Sequence, residues 1–197
     1  MVGLAARLCL LLVLGPLQAG DRAPEGFEID SLAHGRVRVE LTGQLTVVDF
    51  FATWCPHCRE SIDGYGKVLA ERGDRLRVIL VDVDEPPAVV QSFFARHPAP
   101  GGVLVTLDPT GKVFRSFGAR AYPTYFLIDE KGVVRDVSSG WGEHSADAMI
   151  RRIDRVLHRP AGRGRGKQAA APAAARGQTA RDADEARARR LGVEILH

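Results

Sequence analysis

Two cysteines, Cys55 and Cys58, are separated by two residues and directly follow an apolar run. A thiolate rather than a thiol attacks a disulfide, so the first cysteine of a reactive pair needs surroundings that favour negative charge. The start of a helix supplies them through free backbone N–H groups and the positive end of the helix dipole. Pro56 suits the first helical position, which predicts Cys55 at the N-cap and Cys58 one turn deeper. His57, when protonated, would favour the thiolate further.

The two cysteines are compatible with disulfide exchange, metal binding, covalent haem attachment or a structural disulfide. A zinc site needs two further ligands at suitable spacing, and the sequence has no second cysteine pair. Haem attachment needs a histidine directly after the second cysteine, where this chain has Arg59. Disulfide exchange needs only the pair and an exposed first sulfur. The sequence therefore favours redox chemistry that requires no metal or bound cofactor, with an inert disulfide as the alternative.

Asp49 interrupts the apolar stretch at 45–51, whose composition is typical of a strand buried on both faces. A buried carboxylate is unfavourable unless it is paired or protonated, which predicts a raised pKa beneath the cysteine pair. Such a group can accept the proton of Cys58 when Cys58 attacks a mixed disulfide. The alternative is an aspartate that only faces a water-lined gap.

Strand and helix patterns alternate between residues 27 and 158, which predicts an α/β fold with helices on both faces of a sheet. We predict an early hairpin or edge strand within 27–41, and strands at 45–51, 76–83, 103–107, 125–128 and 133–137. Helices are predicted to begin at Pro56, at Pro86-Pro87 and near Ser145. Gly73 is predicted to end the first helix, and Asp84 to cap the second.

Residues 1–20 have the pattern of a secretory signal peptide: one basic residue, an apolar run at 8–14, Gly15-Pro16, and then small residues. The apolar run is too short to span a membrane stably, and an uncleaved anchor is the alternative interpretation. Once this segment is removed, Cys55 and Cys58 are the remaining cysteines. A single close pair in an exported protein is more typical of a catalytic site than of a disulfide framework.

Residues 159–197 are rich in Ala, Arg and Gly and contain few large apolar side chains, which predicts a disordered tail. This tail holds 9 Lys and Arg against 4 Asp and Glu, so it accounts for the positive net charge of the chain. A basic tail can contact an anionic membrane surface or nucleic acid, or it can be a solvated extension without a specific partner.

Four stretches together resemble the exported TlpA/ResA family of thioredoxin-like thiol–disulfide oxidoreductases. They are residues 48–58, which contain the cysteine pair, and residues 81–85, 107–112 and 123–132. The resemblance extends over residues 27–158 and implies a thioredoxin-like fold. This fold has a central mixed sheet flanked by helices, an N-terminal β extension and an insertion at about residues 83–101. The resemblance also implies an extracytoplasmic protein disulfide reductase, with Cys55 as the nucleophile and Cys58 as the resolving cysteine.

The same resemblance implies a cis peptide bond before Pro123, beside the cysteine pair, with Tyr122 at the edge that faces the substrate. Trp54, Pro56 and His57 complete the expected active-site surface. The implied partners are protein substrates with thiols or disulfides, and a periplasmic or membrane-bound redox partner that recycles the cysteines.

Two departures from the family pattern bear on the proton acceptor and on the direction of electron flow. Many family members carry an amide where this chain has Asp49, whereas cytosolic thioredoxin carries an aspartate, which supports a proton-accepting role. The dipeptide Pro56-His57 resembles that of the oxidase DsbA, and this dipeptide strongly influences the reduction potential. A disulfide-donating oxidase is therefore the alternative to a reductase. A third hypothesis is a non-catalytic module that binds partners through Trp54, Tyr122 and the basic tail.

Overall fold

Eight strands and four helices form in the residues that the computed structural model describes, 15–142, 145–158 and 193–196. The strands are β1 (Gly26–Ser31), β2 (Gly35–Glu40), β3 (Leu45–Phe51), β4 (Leu76–Val83), β5 (Val103–Asp108), β6 (Thr124–Ile128), β7 (Val134–Ser139) and β8 (Val193–Ile195). The helices are α1 (Pro56–Arg72), α2 (Pro87–Arg96), α3 (Lys112–Ser116) and α4 (Ser145–Leu157). All of these strands belong to one mixed sheet, in the order β7-β6-β3-β4-β5-β1-β2-β8. The predicted fold class is therefore confirmed.

β3 lies inside the sheet and is buried at every residue. It pairs in parallel with β4 and antiparallel with β6. Successive side chains of a strand point to opposite faces, so Val47 and Phe51 pack beneath α1, while Val48 and Phe50 pack into the core on the other face. The side chain of Asp49 points to the same face of β3 as those of Val47 and Phe51. It therefore lies on the face of the sheet that α1 covers.

The buried face of α1 carries Ile62, Tyr65 and Val68, as the apolar spacing predicts. Gly64 weakens a helix in isolation, but here it has a packing role. A Cβ atom at Gly64 would lie 2.5 Å from Cζ2 of Trp141, so only glycine lets the indole lie this close to the helix. The Trp141 ring is 5.5 Å from the Tyr65 ring, between centroids, and it closes the core beside α1.

The predicted early hairpin is formed by β1 and β2, which pair antiparallel along their whole length. β1 joins the rest of the sheet by pairing with the end of β5, where Ser31 lies opposite Thr106. The hairpin therefore extends the central sheet on the side away from β6. Residues 83–101, the predicted insertion, hold α2 and its flanking loops.

Asp84 does not cap α2, contrary to the prediction. Pro86 occupies the N-cap position and Pro87 the first helical position, and no side chain caps this end. A residue that precedes proline is disfavoured in the helical conformation, so the helix cannot extend back through Glu85 towards Asp84. Asp84 instead adopts a positive φ of 61° in the loop.

The sequence did not predict α3 and β8, since both are short. The carboxylate of Asp108 accepts hydrogen bonds from the backbone N–H groups of Lys112 and Phe114, each at 2.9 Å, and so begins α3. β8 pairs antiparallel with β2, with the buried Val193 opposite Val39. These last residues thus form a strand within the segment predicted as a disordered tail. Residues 159–192 and 197 lie outside the described residues.

The predicted signal segment falls partly outside the described residues, since residues 1–14 are not among them. Its last residues contact the domain: the N–H of Leu17 donates to the carbonyl of Phe117 at 3.1 Å, and that of Gly20 to Val134 at 2.8 Å. Of the helices in the described part of the chain, none combines the length and the apolar character needed to cross a membrane.

Candidate active site

Cys55 occupies the N-cap of α1, as its spacing before Pro56 predicts. Its backbone is extended, with φ −85° and ψ 115°, and its sulfur accepts a hydrogen bond from the N–H of Cys58 at 3.3 Å. The first turn of α1 contains no acidic residue. The free N–H groups and the positive end of the helix dipole therefore act on the sulfur of Cys55 without a nearby carboxylate in that turn to oppose them.

The sulfurs of Cys55 and Cys58 form a disulfide, and the Cα atoms lie 5.3 Å apart, within the usual range for such a bond. Cys55 is 6% exposed, whereas Cys58 is completely buried. The first sulfur is thus less exposed in this oxidised state than the sequence analysis expects. Cys55 is nevertheless the member of the pair that retains some exposed surface.

Asp49 lies completely buried between β3 and α1. Its Oδ2 accepts hydrogen bonds from the hydroxyl groups of Tyr65, at 3.0 Å, and Ser61, at 3.2 Å. Its Oδ1 has no hydrogen-bond partner among the described residues. Burial raises the pKa of Asp49 to about 7, although the two hydroxyl groups act in the opposite direction. The aspartate can therefore gain or lose a proton near neutral pH.

Ser61 connects Asp49 to the backbone of Cys58. Its hydroxyl oxygen lies 2.8 Å from the carbonyl oxygen of Cys58 and 3.2 Å from Oδ2 of Asp49. A hydroxyl has one hydrogen, so it donates to one of these oxygens at a time. When Asp49 is protonated, the aspartate can donate to Ser61 while Ser61 donates to Cys58. Ser61 is not among the site residues predicted from the sequence, although its position three residues after Cys58 places it on the same face of the helix.

Trp54 and Tyr122 form an aromatic surface next to the cysteine pair. Trp54 is 69% exposed, and its ring meets that of Tyr122 edge to face, with 5.9 Å between centroids. Tyr122 packs in turn against Phe114, at 5.3 Å, and against the core cluster that contains both cysteines. The peptide bond between Tyr122 and Pro123 is cis, as the family resemblance implies. The structure thus brings the loop before β6 to the loop that carries Cys55.

His57 lies on the surface, and its Nδ1 is 3.2 Å from Oε2 of Glu60. The carboxylate offsets the positive charge that a protonated His57 would offer to Cys55. His57 is therefore a weaker aid to the thiolate than its position in the sequence suggests. Among the described residues, no group of three or more His, Cys, Asp or Glu side chains could hold a metal ion.

The turn before Cys55 depends on Glu85, a residue to which the sequence analysis gave no role. Glu85 is 9% exposed, and its carboxylate accepts hydrogen bonds from the backbone N–H of Thr53, at 2.6 Å, and from the Thr53 hydroxyl, at 2.7 Å. Thirty-two residues separate the two partners, so no local pattern could reveal this contact. Glu85 thereby ties the loop after β4 to the loop that presents Trp54 and Cys55.

A central strand of the mixed sheet leads into a helix whose N-cap is a disulfide-bonded cysteine, and an aromatic edge with a cis proline lies beside it. This arrangement is that of a thioredoxin-like thiol–disulfide oxidoreductase. The family model described as Redoxin matches residues 18–153, and the chain belongs to this family.

Several proteins of known name are similar to this chain. The thioredoxin-like protein YneN of Bacillus subtilis is 27% identical over 128 residues, which are 63% of this chain and 73% of YneN. The thiol-disulfide oxidoreductase ResA of Halalkalibacterium halodurans is 28% identical over 125 residues, covering 62% of this chain and 69% of ResA. A crystal structure from Chlorobium tepidum, described as a thiol:disulfide interchange protein DsbE, superposes with a TM-score of 0.65 and 30% identity, covering 72% of this chain and 99% of that one. The chain is therefore an oxidoreductase that acts on thiols and disulfides.

Proposed function

We propose that this protein reduces disulfides of protein substrates outside the cytoplasm, with Cys55 as the nucleophile and Cys58 as the resolving cysteine. The observation that carries this proposal is the asymmetry of the pair. Cys55 lies at the helix N-cap with some exposure, whereas Cys58 is completely buried behind it. The signal-like pattern of residues 1–20 and the names of relatives such as ResA support the location and the activity.

In the first step, the thiolate of Cys55 attacks one sulfur of a substrate disulfide. A bond forms between Cys55 and that sulfur, the substrate S–S bond breaks, and the second substrate sulfur leaves as a thiolate that takes a proton from water. The N–H groups at the start of α1 lower the free energy of the attacking thiolate. The product of this step is a mixed disulfide between the protein and its substrate.

In the second step, Cys58 attacks the sulfur of Cys55 and releases the substrate. Cys58 must first lose its proton, and Asp49 is the proposed acceptor because it is buried inside the protein and Ser61 connects its carboxylate to the backbone of Cys58. The Cys55–Cys58 bond forms, the mixed disulfide breaks, and the released substrate thiolate takes up a proton. The substrate has then gained two electrons, and the protein has lost two and holds its disulfide.

The surface beside Cys55 suits a polypeptide substrate. Trp54 offers a largely exposed indole, and Tyr122 lies against it at the edge of the site. Aromatic side chains provide a large contact area at little conformational cost, and Tyr and Trp also offer polar atoms. We propose that these two side chains and Pro123 hold the substrate chain next to Cys55. A dithiol redox partner, in the periplasm or in the membrane, would then reduce the Cys55–Cys58 disulfide.

Disulfide donation is the second candidate function, and the Pro56-His57 dipeptide favours it. The same two steps in reverse would transfer the disulfide to a dithiol substrate and leave both cysteines reduced. The reduction potential separates the two directions: about −270 mV is typical of thioredoxin, and about −120 mV of DsbA. A value near the first supports the proposed reductase, and a value near the second supports the disulfide donor.

Reduction of insulin in the presence of dithiothreitol tests the proposed activity. We expect the wild-type protein to accelerate the precipitation of insulin and Cys55→Ser to be inactive. Asp63→Asn, a change at an exposed position on α1, is the matched control and should retain the activity. Equal rates for wild type and Cys55→Ser would overturn the proposal and would favour a non-catalytic binding module. Contact between the basic tail and anionic surfaces stays a prediction, since residues 159–192 lie outside the described residues.

A further inference from the structure

The turn that presents Cys55 is held by a hydrogen bond within it and by two hydrogen bonds from outside it. Within the turn, the N–H of Cys55 donates to the carbonyl of Ala52 at 3.2 Å. From outside, Glu85 accepts both available hydrogens of Thr53, the backbone N–H and the hydroxyl. A carboxylate that is almost completely buried thus fixes the residue at the centre of the turn. These two hydrogen bonds stabilise the negative charge of the carboxylate.

Asp82 is a second buried carboxylate, and its side chain contacts that of Glu85. It is the penultimate residue of β4 and is completely buried. In the parallel pairing of β3 with β4 it lies opposite Phe51. Neither of its carboxylate oxygens accepts a hydrogen bond from a described residue. The pKa of Asp82 is raised to about 8. The largest cause is burial, and the second is the side-chain contact with Glu85. At neutral pH Asp82 is therefore protonated, and its O–H can donate to the carboxylate of Glu85.

We propose that Glu85 is a positioning residue for Cys55, and that protonated Asp82 keeps Glu85 on Thr53. This inference rests on the proposed function only in taking Cys55 as the nucleophile. Two adjacent carboxylates can share a hydrogen bond only while one of them holds a proton. Loss of that proton places two like charges together in the interior. Glu85, the more exposed of the two, then moves away from Thr53, and the turn loses the bonds that fix it.

The groups around Asp82 and Glu85 make a second negative charge, on Asp82, still less favourable. Asp84 on the same loop and Asp108 at the end of β5 both raise the pKa of Asp82. Tyr122, on the loop before β6, has a pKa raised by burial and by the same carboxylates, and it stays neutral. The side chains of Arg115, on α3, and Asp84 both lie close to Gly111. The proton on Asp82 is thus retained at neutral pH and lost in mildly alkaline solution.

The test uses the rate at which iodoacetamide alkylates Cys55 in a background with Cys9→Ser and Cys58→Ser, which leaves Cys55 as the one thiol of the chain. We compare Asp82→Asn, which mimics the protonated state at every pH, with its parent. Well below pH 8 the two rates should agree. Well above pH 8 the asparagine variant should react roughly two- to tenfold faster than the parent, the range that corresponds to one hydrogen bond. A rate ratio that does not change with pH would overturn the proposal.

Two further variants separate positioning from a direct effect of charge. Asp84→Asn removes a carboxylate that raises the pKa of Asp82. In this variant the alkylation rate should still change with pH, and the change should occur at lower pH. Thr53→Val removes the hydroxyl that Glu85 holds, and in this background the effect of Asp82→Asn should become smaller, whereas Thr53→Ser should preserve it. An unchanged effect in Thr53→Val would show that the charge of Asp82 acts on Cys55 directly, and would also overturn the proposal.

The result does not depend on a protein substrate. Far-ultraviolet circular dichroism and thermal unfolding establish that each variant is folded at both pH values. If wild type fails to reduce insulin while the alkylation rates behave as expected, the proposed function is wrong and the positioning role stands. If insulin is reduced but the ratio of the alkylation rates is constant with pH, the proposed function stands and the positioning role is wrong.

Discussion

The hydroxyl of Tyr65 donates a 3.0 Å hydrogen bond to Oδ2 of Asp49, in the interface between α1 and β3. Burial raises the pKa of Asp49 to about 7, while this bond and that of Ser61 lower it. The bond therefore stabilises the charged form of a carboxylate that the surrounding core disfavours. The protonation of Asp49 is set by this balance, and its effects should be measurable in both stability and kinetics.

Asp49→Asn should remove a pH-dependent loss of stability. The pKa of Asp49 is 3.8 in the unfolded chain and about 7 in the folded protein, so the folded state binds the proton more tightly. The free energy of unfolding therefore falls as the pH rises from about 4 to about 7, by about 4 kcal/mol at most. In urea unfolding across this range, Asp49→Asn should be the more stable protein above pH 7 and should lose that advantage near pH 4. Asp63→Asn is the exposed control, and the same trend in both variants would contradict the interpretation.

Asp49→Asn should also slow the release of substrate more than the first attack. The asparagine cannot accept the proton of Cys58, and general base catalysis contributes roughly 100-fold or more. Rapid acid quenching, followed by separation of the mixed disulfide from the free protein, measures the two steps individually. We expect the mixed disulfide to accumulate in Asp49→Asn and to be transient in wild type. Equal slowing of both steps would remove Asp49 from the role of proton acceptor.

Tyr65→Phe should shift the pH dependence of the second step to higher pH. The lost hydrogen bond favours the ionised carboxylate, so its removal raises the pKa of Asp49 further. The expected shift is up to about one pH unit, as for one hydrogen bond. Tyr125→Phe is the matched control, because the hydroxyl of Tyr125 contacts Asp136 and Arg152 instead. A shift in the control variant, or a shift to lower pH in Tyr65→Phe, would show that this bond does not set the pKa.

Cys58→Ser should trap substrates as covalent complexes. Without the resolving thiol, the mixed disulfide on Cys55 persists until an external thiol releases it. Non-reducing electrophoresis of the tagged variant from cells should show high-molecular-weight species that disappear on reduction, and mass spectrometry identifies their partners. Cys55→Ser should show none of these species. If no complexes form while Cys55 can still be alkylated, the assignment of Cys55 as the nucleophile fails.

Trp54→Ala should weaken the use of protein substrates with little effect on folding. Trp54 is 69% exposed, so its truncation leaves the core intact, but it removes a large part of the aromatic surface at Tyr122. We expect kcat/KM for insulin to fall by roughly tenfold, as for an interface residue that contributes more than 1 kcal/mol. Val89→Ala is the control, because Val89 is an exposed apolar side chain on α2, 43% exposed. Equal losses in both variants would exclude a specific role for Trp54.

The sequence predicts the centre of the fold and of the site because both depend on local patterns. The apolar run of β3, the proline after Cys55 and the helical spacing of Ile62 and Tyr65 each act within a few residues. The buried aspartate is also visible locally, since a single charge interrupts an apolar strand. A few residues around the cysteine pair thus suffice to place Cys55 at a helix N-cap.

The remaining contacts of the site depend on the packing of distant segments. Glu85 meets Thr53 across 32 residues, and no periodicity marks either of them as a partner. The same holds for β8, whose three residues form a strand only because β2 offers an edge to pair with. The error at Asp84 has a local cause: two consecutive prolines after Glu85 determine where α2 begins, and their effect exceeds that of a capping side chain.

β8 also has a consequence for how molecules of this protein meet each other. An uncovered edge strand exposes a row of N–H and C=O groups that can recruit a strand from a second molecule. Along Val37–Val39, β8 occupies those groups of β2, well away from the strand that leads to Cys55. β8 then becomes the edge of the sheet, and its three residues offer a shorter row of free N–H and C=O groups than the six residues of β2 would.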